Sequence, residues 1–257
     1  MERFDVSVIG SGNVAWHLAP ALDNGGFKVR EVYSRSAAHA KEITGRLYEA
    51  VVKTDLDFSD TRSRLIIIAV ADEAIEEIAT ELVVPDNVMV VHTSGSQPMS
   101  LLGYLPTDHI GVFYPLQTFS KGVKVDFDNV PFFIESQTRE GLEWLNFMGE
   151  TISNRVIKAD SADRKALHVA AVFASNFLNH MLTLSQDILD RKGLDFDLLQ
   201  PLVTETVNKA LNEGPANVQT GPAIRKDRDI IEQHTQYLAY DERLMEIYRL
   251  ISENIMN

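Results

Sequence analysis

The segment that most constrains this chain is near its start. Phe4-Asp5-Val6-Ser7-Val8-Ile9 runs straight into Gly10-Ser11-Gly12-Asn13-Val14-Ala15. The first run is rich in β-branched residues and ends in glycine, the pattern of a short buried strand. From Asn13 to Asp23, Val14, Leu18, Ala21 and Leu22 recur at helical spacing, and Asn24-Gly25-Gly26 supplies the stop. A G-x-G-x-x-A turn between a strand and a helix, within a βαβ unit of about 30 residues, points to a dinucleotide site. Gly10 permits the tight turn, Gly12 lets a pyrophosphate approach the backbone, and Ala15 lets the helix close on the sheet. The helix start adds free N–H groups and the positive end of its dipole. The chain therefore reads as opening with a Rossmann-type domain.

The end of the second strand, Phe27 to Tyr33, selects the dinucleotide. An NAD site usually carries Asp or Glu there, bonded to the ribose 2′-hydroxyl. This chain has Tyr33-Ser34-Arg35-Ser36, and Glu31 comes two residues too early. Arg35 can hold a 2′-phosphate bidentately, helped by the Ser34 and Ser36 hydroxyls. The expected cofactor is NADP(H). An S-adenosylmethionine methyltransferase, which wants an acid for the ribose, is disfavoured by the same residues.

Strand and helix patterns alternate onward. Leu65-Ile66-Ile67-Ile68-Ala69-Val70 is almost wholly branched and aliphatic, as in a parallel strand covered on both faces. Strand tips in such a sheet carry ligands, so Val70 and Ala71 with Thr93, Ser94 and Gly95 are expected beside the nicotinamide. Asp72 reads as a helix cap and His92 as a sheet histidine. After Asp160 only helical patterns remain, the first running from Asp163 to about Arg191. The expected class is α/β, a doubly wound and mostly parallel sheet followed by an all-α C-terminal domain, with domains at 1–159 and 160–257.

Composition excludes several classes. The net charge of -13 disfavours nucleic acid and anionic membranes. The absence of cysteine excludes disulfides and thiolate chemistry and fits a cytoplasmic protein. No signal-peptide pattern opens the sequence. Ala166 to Leu189 reads as a buried helix too polar for a bilayer. No metal-ligand spacing is present.

The chain resembles bacterial proteins that join a Rossmann-like NADP domain to a helical C-terminal domain of unknown function, often labelled candidate NADP oxidoreductases. The carriers are the glycine turn, His92-Thr93-Ser94-Gly95, Tyr114-Pro115-Leu116-Gln117-Thr118-Phe119, Ala171-Val172-Phe173-Ala174-Ser175-Asn176 and Thr220-Gly221-Pro222-Ala223-Ile224-Arg225. The resemblance implies distant kinship with pyrroline-5-carboxylate reductase, ketopantoate reductase, prephenate dehydrogenase and deazaflavin-dependent NADP oxidoreductases. Tyr114 departs from an expected histidine, Ala71 from proline, and Lys226 from glycine.

On the long helix His168, Ser175, Asn179 and Gln186 share one side at about 100° per residue, with Asn176 at its edge. By analogy with two-domain dehydrogenases, His168 is the candidate proton donor or acceptor, a task that suits imidazole. Ser175 and Asn176 are candidates to hold a substrate carbonyl or carboxylate. Gln117, Thr220 and Arg225 are candidate substrate contacts, the last two at a helix start. The reading is an NADP(H)-dependent oxidoreductase of a small, anionic carbonyl or imine compound, dimeric through its C-terminal helices. The alternative is a non-catalytic NADP(H)-binding redox sensor or interaction protein.

Overall fold

The computed structural model describes residues 2–257. The opening strand β1 (Val6–Ile9) is fully buried and leads into α1 (Asn13–Asn24). There follow β2 (Val29–Tyr33), α2 (Ala37–Thr44), β3 (Val51–Lys53), β4 (Leu65–Ile68), α3 (Ile75–Glu81) and β5 (Met89–His92). β6 (Ile110–Pro115), β7 (Phe132–Ser136), α4 (Arg139–Ile152) and β8 (Val156–Lys158) complete the sheet. The strand order is β3-β2-β1-β4-β5-β6-β7-β8, parallel except where β7 runs against β6.

Period-2 alternation in β4 shows why both faces are covered. Leu65 and Ile67 enter one core with Leu18 and Leu22 of α1 and Leu145 and Met148 of α4. Ile66 and Ile68 enter the other with Ile75 and Ala79 of α3. Burial of each such side chain contributes about 1.5–3 kcal/mol, so this strand anchors the domain. Pro20 sits inside α1 and cannot donate to the carbonyl of Trp16. The Arg46 guanidinium donates to that carbonyl instead, and lies over the Trp16 ring at 4.1 Å.

After β8 only helices follow: α5 (Ser161–Ala171), a π-helical turn over Val172–Phe177, α6 (Leu178–Asp190), α7 (Gln200–Glu213), α8 (Arg228–Tyr237) and α9 (Glu242–Met256). The chain divides into two compact units between Ser175 and Asn176. α5 therefore belongs with the sheet, where Leu167 packs beside Val112, Tyr114 and Phe133. The π turn takes up more residues than an α turn. The 100° count behind the polar stripe holds on either side of it but not through it.

One expectation fails here. Ala166 to Leu189 is not a buried helix, for none of its residues is buried. By length and composition alone, the helix Ser161–Asp190, at mean hydropathy 1.2, would qualify as a membrane span. Its apolar residues form surface that a single chain does not cover, and periodicity in the sequence cannot say what covers it.

In the second unit, Asp227 caps α8 by accepting from the N–H of Ile230. The helix starts later than the sequence suggested, because Lys226 takes a left-handed conformation, φ 56°. That conformation accounts for the glycine expected at this position: it costs an L-residue roughly 1–2 kcal/mol. Lys226→Gly should stabilise the unit by about 0.5–1 kcal/mol once glycine's own entropy is subtracted. Urea unfolding checks this, and a lower midpoint would contradict it.

Candidate functional site

The glycine turn is built as its sequence demands. Gly10 has φ +126°, and a Cβ there would lie 2.0 Å from the carbonyl oxygen of Ala69. Its N–H donates to the Tyr33 carbonyl at 2.8 Å, locking the turn to the tip of β2. Gly12 is the N-cap of α1 and brings no capping side chain. A Cβ at Gly12 would meet nothing within 4 Å. That open space above unpaired helix N–H groups fits a diphosphate, and a side chain would fill it.

The turn forms one wall of a cleft of about 380 Å³. Ser11, Asn13, Ser34 and Arg35 line it, facing Val70, Ala71 and Ile78. The Ser11 and Ser34 hydroxyls meet at 2.8 Å. Arg35 is exposed and makes no ion pair among the described residues. Its guanidinium is thus uncommitted at the rim. Ser36 accepts from the N–H of His39 and caps α2. Ala15 is fully buried and packs rather than contacts. Glu31 accepts from Ser7 at 2.7 Å and Thr61 at 2.6 Å, so its carboxylate is held within the strand. Two acids do enter the cleft from α3, Glu77 and Glu81. Nothing in the fingerprint pattern points to them.

A second cluster lies at the tips of β4, β5 and β6. Asp72 does not cap the following helix. Its carboxylate accepts from the Ser96 hydroxyl and ties the β4 tip to the loop after β5. The Ser94 oxygen accepts from the N–H groups of Ser96 at 3.1 Å and Gln97 at 3.0 Å, which folds that loop. His92 Nδ1 accepts from the Ser94 N–H at 3.1 Å, which leaves the ring proton on Nε2. Among the described residues Nε2 has no partner. Burial, with Arg164 nearby, lowers the imidazole pKa to about 4, so His92 is neutral at pH 7. It is a neutral sheet histidine, with the Pro98 carbonyl near enough to its ring to oppose part of that shift.

Tyr114 near the end of β6 presses its ring onto Gly95, where a Cβ would lie 2.5 Å from the phenol Cζ. Its hydroxyl is 3.2 Å from His168 Nδ1 on α5, with the rings edge to face. Burial and the charge of Asp72 raise the phenol pKa above its ordinary value, partly offset by Arg164. Arg164 itself is completely buried. It pairs with Glu135 of β7 and donates to the carbonyl of Gln97 at 2.7 Å. Glu135 also accepts from Ser161 at 3.0 Å. This clamp seats α5 on the sheet one turn before His168. Both Tyr114 and Arg164 escape sequence reasoning, the first as a departure from an expected histidine, the second as one of three consecutive charged residues on a helix.

The remaining candidates are dispersed. Ser175 is half-buried in the π turn that ends the first unit, and Asn176, which opens the second, is exposed. Gln117 is exposed, and its side-chain oxygen accepts from the N–H of Thr118 at 2.8 Å. Thr220 and Arg225 are exposed and lie ahead of the Asp227 cap, so neither sits in the first turn of a helix. No group of metal-ligating side chains occurs among the described residues.

Residues 1–113 match the Rossmann-like domain family, and residues 130–255 match a domain of unknown function, DUF2520. A candidate NADP oxidoreductase of Bacteroides fragilis is 40% identical, covering 99% of this chain and 98% of its own, with TM-score 0.87. The chain belongs to the Rossmann-like DUF2520 family. A protein of Thermotoga maritima shares the fold at 22% identity and TM-score 0.71, over 97% of this chain and 96% of its own. So does a reductive aminase of Aspergillus terreus, solved with NADPH and ethyl-5-oxohexanoate, at 13% identity and TM-score 0.71, covering 98% and 93%. No curated protein matches the sequence. For a Rossmann-like DUF2520 protein, the glycine cradle and the β4 and β5 tips lie in the Rossmann part, Tyr114 just past its end, and His168 in the DUF2520 part.

Proposed function

We propose that this Rossmann-like DUF2520 protein is an NADP(H)-dependent oxidoreductase acting on a small, anionic carbonyl or imine compound. The observation that carries this reading is the pairing of an open glycine cradle with an uncommitted Arg35 at a β2 tip that bears no carboxylate. Gly10 to Ala15 shape the diphosphate site, and Ser34, Arg35 and Ser36 frame the 2′-phosphate. Val70, Ala71, Thr93, Ser94 and Gly95 form the end where the nicotinamide is read. The bound dinucleotide supplies the hydride. The Bacteroides relative supports the NADP assignment, and the reductive aminase supports carbonyl or imine chemistry on this fold.

His168 handles the proton, while Ser175 and Asn176 hold the substrate carbonyl or carboxylate. Gln117, Thr220 and Arg225 are the proposed contacts for its polar and anionic groups. We assign 1–159 to the dinucleotide domain and 160–257 to the substrate and dimerisation domain, whose first helix, α5, packs on the sheet. The uncovered apolar surface of the C-terminal helices supports a homodimer. His168, Asn176, Asn179 and His180 along that helix support a protein partner over lipid. The cysteine-free sequence supports a cytoplasmic setting.

NADPH oxidation against a panel of keto acids and imines tests the activity. In that assay, His168→Ala should lower turnover about a hundredfold and leave NADPH affinity unchanged. Turnover at the wild-type rate would return His168 to a structural role. Tight NADPH binding without turnover on any compound would favour a sensor.

A further inference from the structure

We propose that the Tyr114 hydroxyl exchanges the proton with the reacting oxygen or nitrogen of the substrate, and that His168 replenishes it. The proposal rests on the cofactor reading above and names the group that does its acid–base work.

Three observations lead there. First, Tyr114 sits where the three strand tips converge, its Cζ, Cε1 and hydroxyl oxygen filling the space that any side chain at position 95 would need. Second, its oxygen lies 3.2 Å from His168 Nδ1, an acid–base pair joined across 54 residues of sequence. Third, the charged groups of the tips and the accepting oxygen of Ser94 are committed. Asp72 is bonded to Ser96, the Ser94 oxygen holds two backbone N–H groups, and Arg164 is paired with Glu135. His92 is fully buried, with its accepting nitrogen taken by the Ser94 N–H. The charged and titratable groups that face Tyr114 are Asp72 from the β4 tip, and Arg164 and His168 from α5. Burial and Asp72 raise the phenol pKa, so the group enters the neutral range protonated.

In the reducing direction, His168 Nδ1–H donates to the phenol oxygen, so the phenol O–H is free to point at the substrate. When bound, the reduced dinucleotide would supply the hydride, with its electron pair, to the substrate carbon. The O–H bond of Tyr114 breaks as a new O–H or N–H bond forms on the substrate. The Nδ1 proton of His168 moves to the phenolate as Nε2 takes a proton from solvent, so the ring stays neutral, and solvent exchange returns it to the Nδ1–H tautomer before the next turnover. One hydride and one proton are added in all. The oxidising direction runs these transfers backward.

The test needs no substrate. The oxidised nicotinamide ring carries a positive charge that the reduced ring lacks. A phenol beside that ring must ionise more readily in the NADP⁺ complex than in the NADPH complex. With isotope-labelled tyrosine, the Cζ resonance of Tyr114, assigned by its loss in Tyr114→Phe, is followed against pH in both complexes. The midpoint should fall by about one pH unit or more with NADP⁺, a tenfold change in ionisation constant. Equal midpoints would place the phenol away from the redox centre and overturn the proposal. His168→Ala should move the midpoint in the ligand-free protein, and an unmoved midpoint would contradict the relay. Calorimetry on the same samples separates the two levels. Absence of nucleotide uptake overturns the cofactor reading and this proposal together, whereas uptake with equal midpoints overturns this proposal alone.

Discussion

Alanine at position 10 is expected to cost the first βα turn about 2–6 kcal/mol. The backbone there sits at φ +126°, which alanine tolerates only with strain of about 1–3 kcal/mol. The new Cβ would also stand 2.0 Å from the Ala69 carbonyl oxygen, so β1 and β4 would have to separate. Overpacking of that kind adds about 1–3 kcal/mol. Against a total stability of about 5–15 kcal/mol, the turn either rebuilds or takes the domain with it. Gly10→Ala should therefore lose both stability and dinucleotide binding. Gly12→Ala should separate the two. Its Cβ enters open space, so the melting temperature should hold while NADPH affinity drops about tenfold or more, 1.4 kcal/mol for each factor of ten. Thermal melts with calorimetry measure both quantities. Equal stability in the two variants would contradict the geometry of the turn.

Arg164→Met is expected to be the most damaging change on α5, at about 3 kcal/mol. The guanidinium is completely buried, and its loss strands the Glu135 carboxylate with Ser161 as its remaining side-chain partner. Removing one member of a buried pair costs about 3–5 kcal/mol, because the other charge stays desolvated. Glu135 keeps some access to water, with 17% of its side chain exposed, which favours the lower end. The carbonyl of Gln97 loses its donor as well. Adding Glu135→Leu should recover much of the loss, since an apolar pair can replace a buried ionic one at little cost. Urea unfolding of the single and double variants gives both numbers. If the double variant were less stable than Arg164→Met, Glu135 would be stabilising by a route other than this pair.

The two variants also mark what the sequence could reveal. The glycine turn is legible because everything it needs is local: a strand, two glycines and a helix start within ten residues or so. β4 is legible because a wholly aliphatic run can only be covered on both faces. Arg164 is not, since Asp163-Arg164-Lys165 looks like a solvated helix face, and its partner is 29 residues away. Asp72 looks like a cap because a helix follows it, yet its carboxylate bonds a hydroxyl 24 residues on. Tyr114 drew notice only as a departure from histidine, and its pairing with His168 is a tertiary fact. The π turn at Val172–Phe177 carries no glycine or proline to announce it. The long helix reads as buried because its composition is apolar. Composition cannot tell a core within one chain from a face that the chain leaves exposed.

In the proposed function, the cleft between the glycine turn and α3 reads the 2′-phosphate of NADP(H) through Arg35. Calorimetric titration of wild-type protein and Arg35→Ala with NADPH and NADH tests it most directly. A guanidinium–phosphate contact of the charge-assisted kind is worth about 1.5–3 kcal/mol, so NADPH affinity should fall about tenfold to a hundredfold while NADH affinity barely moves. Equal losses for both nucleotides, or no loss for either, would contradict it.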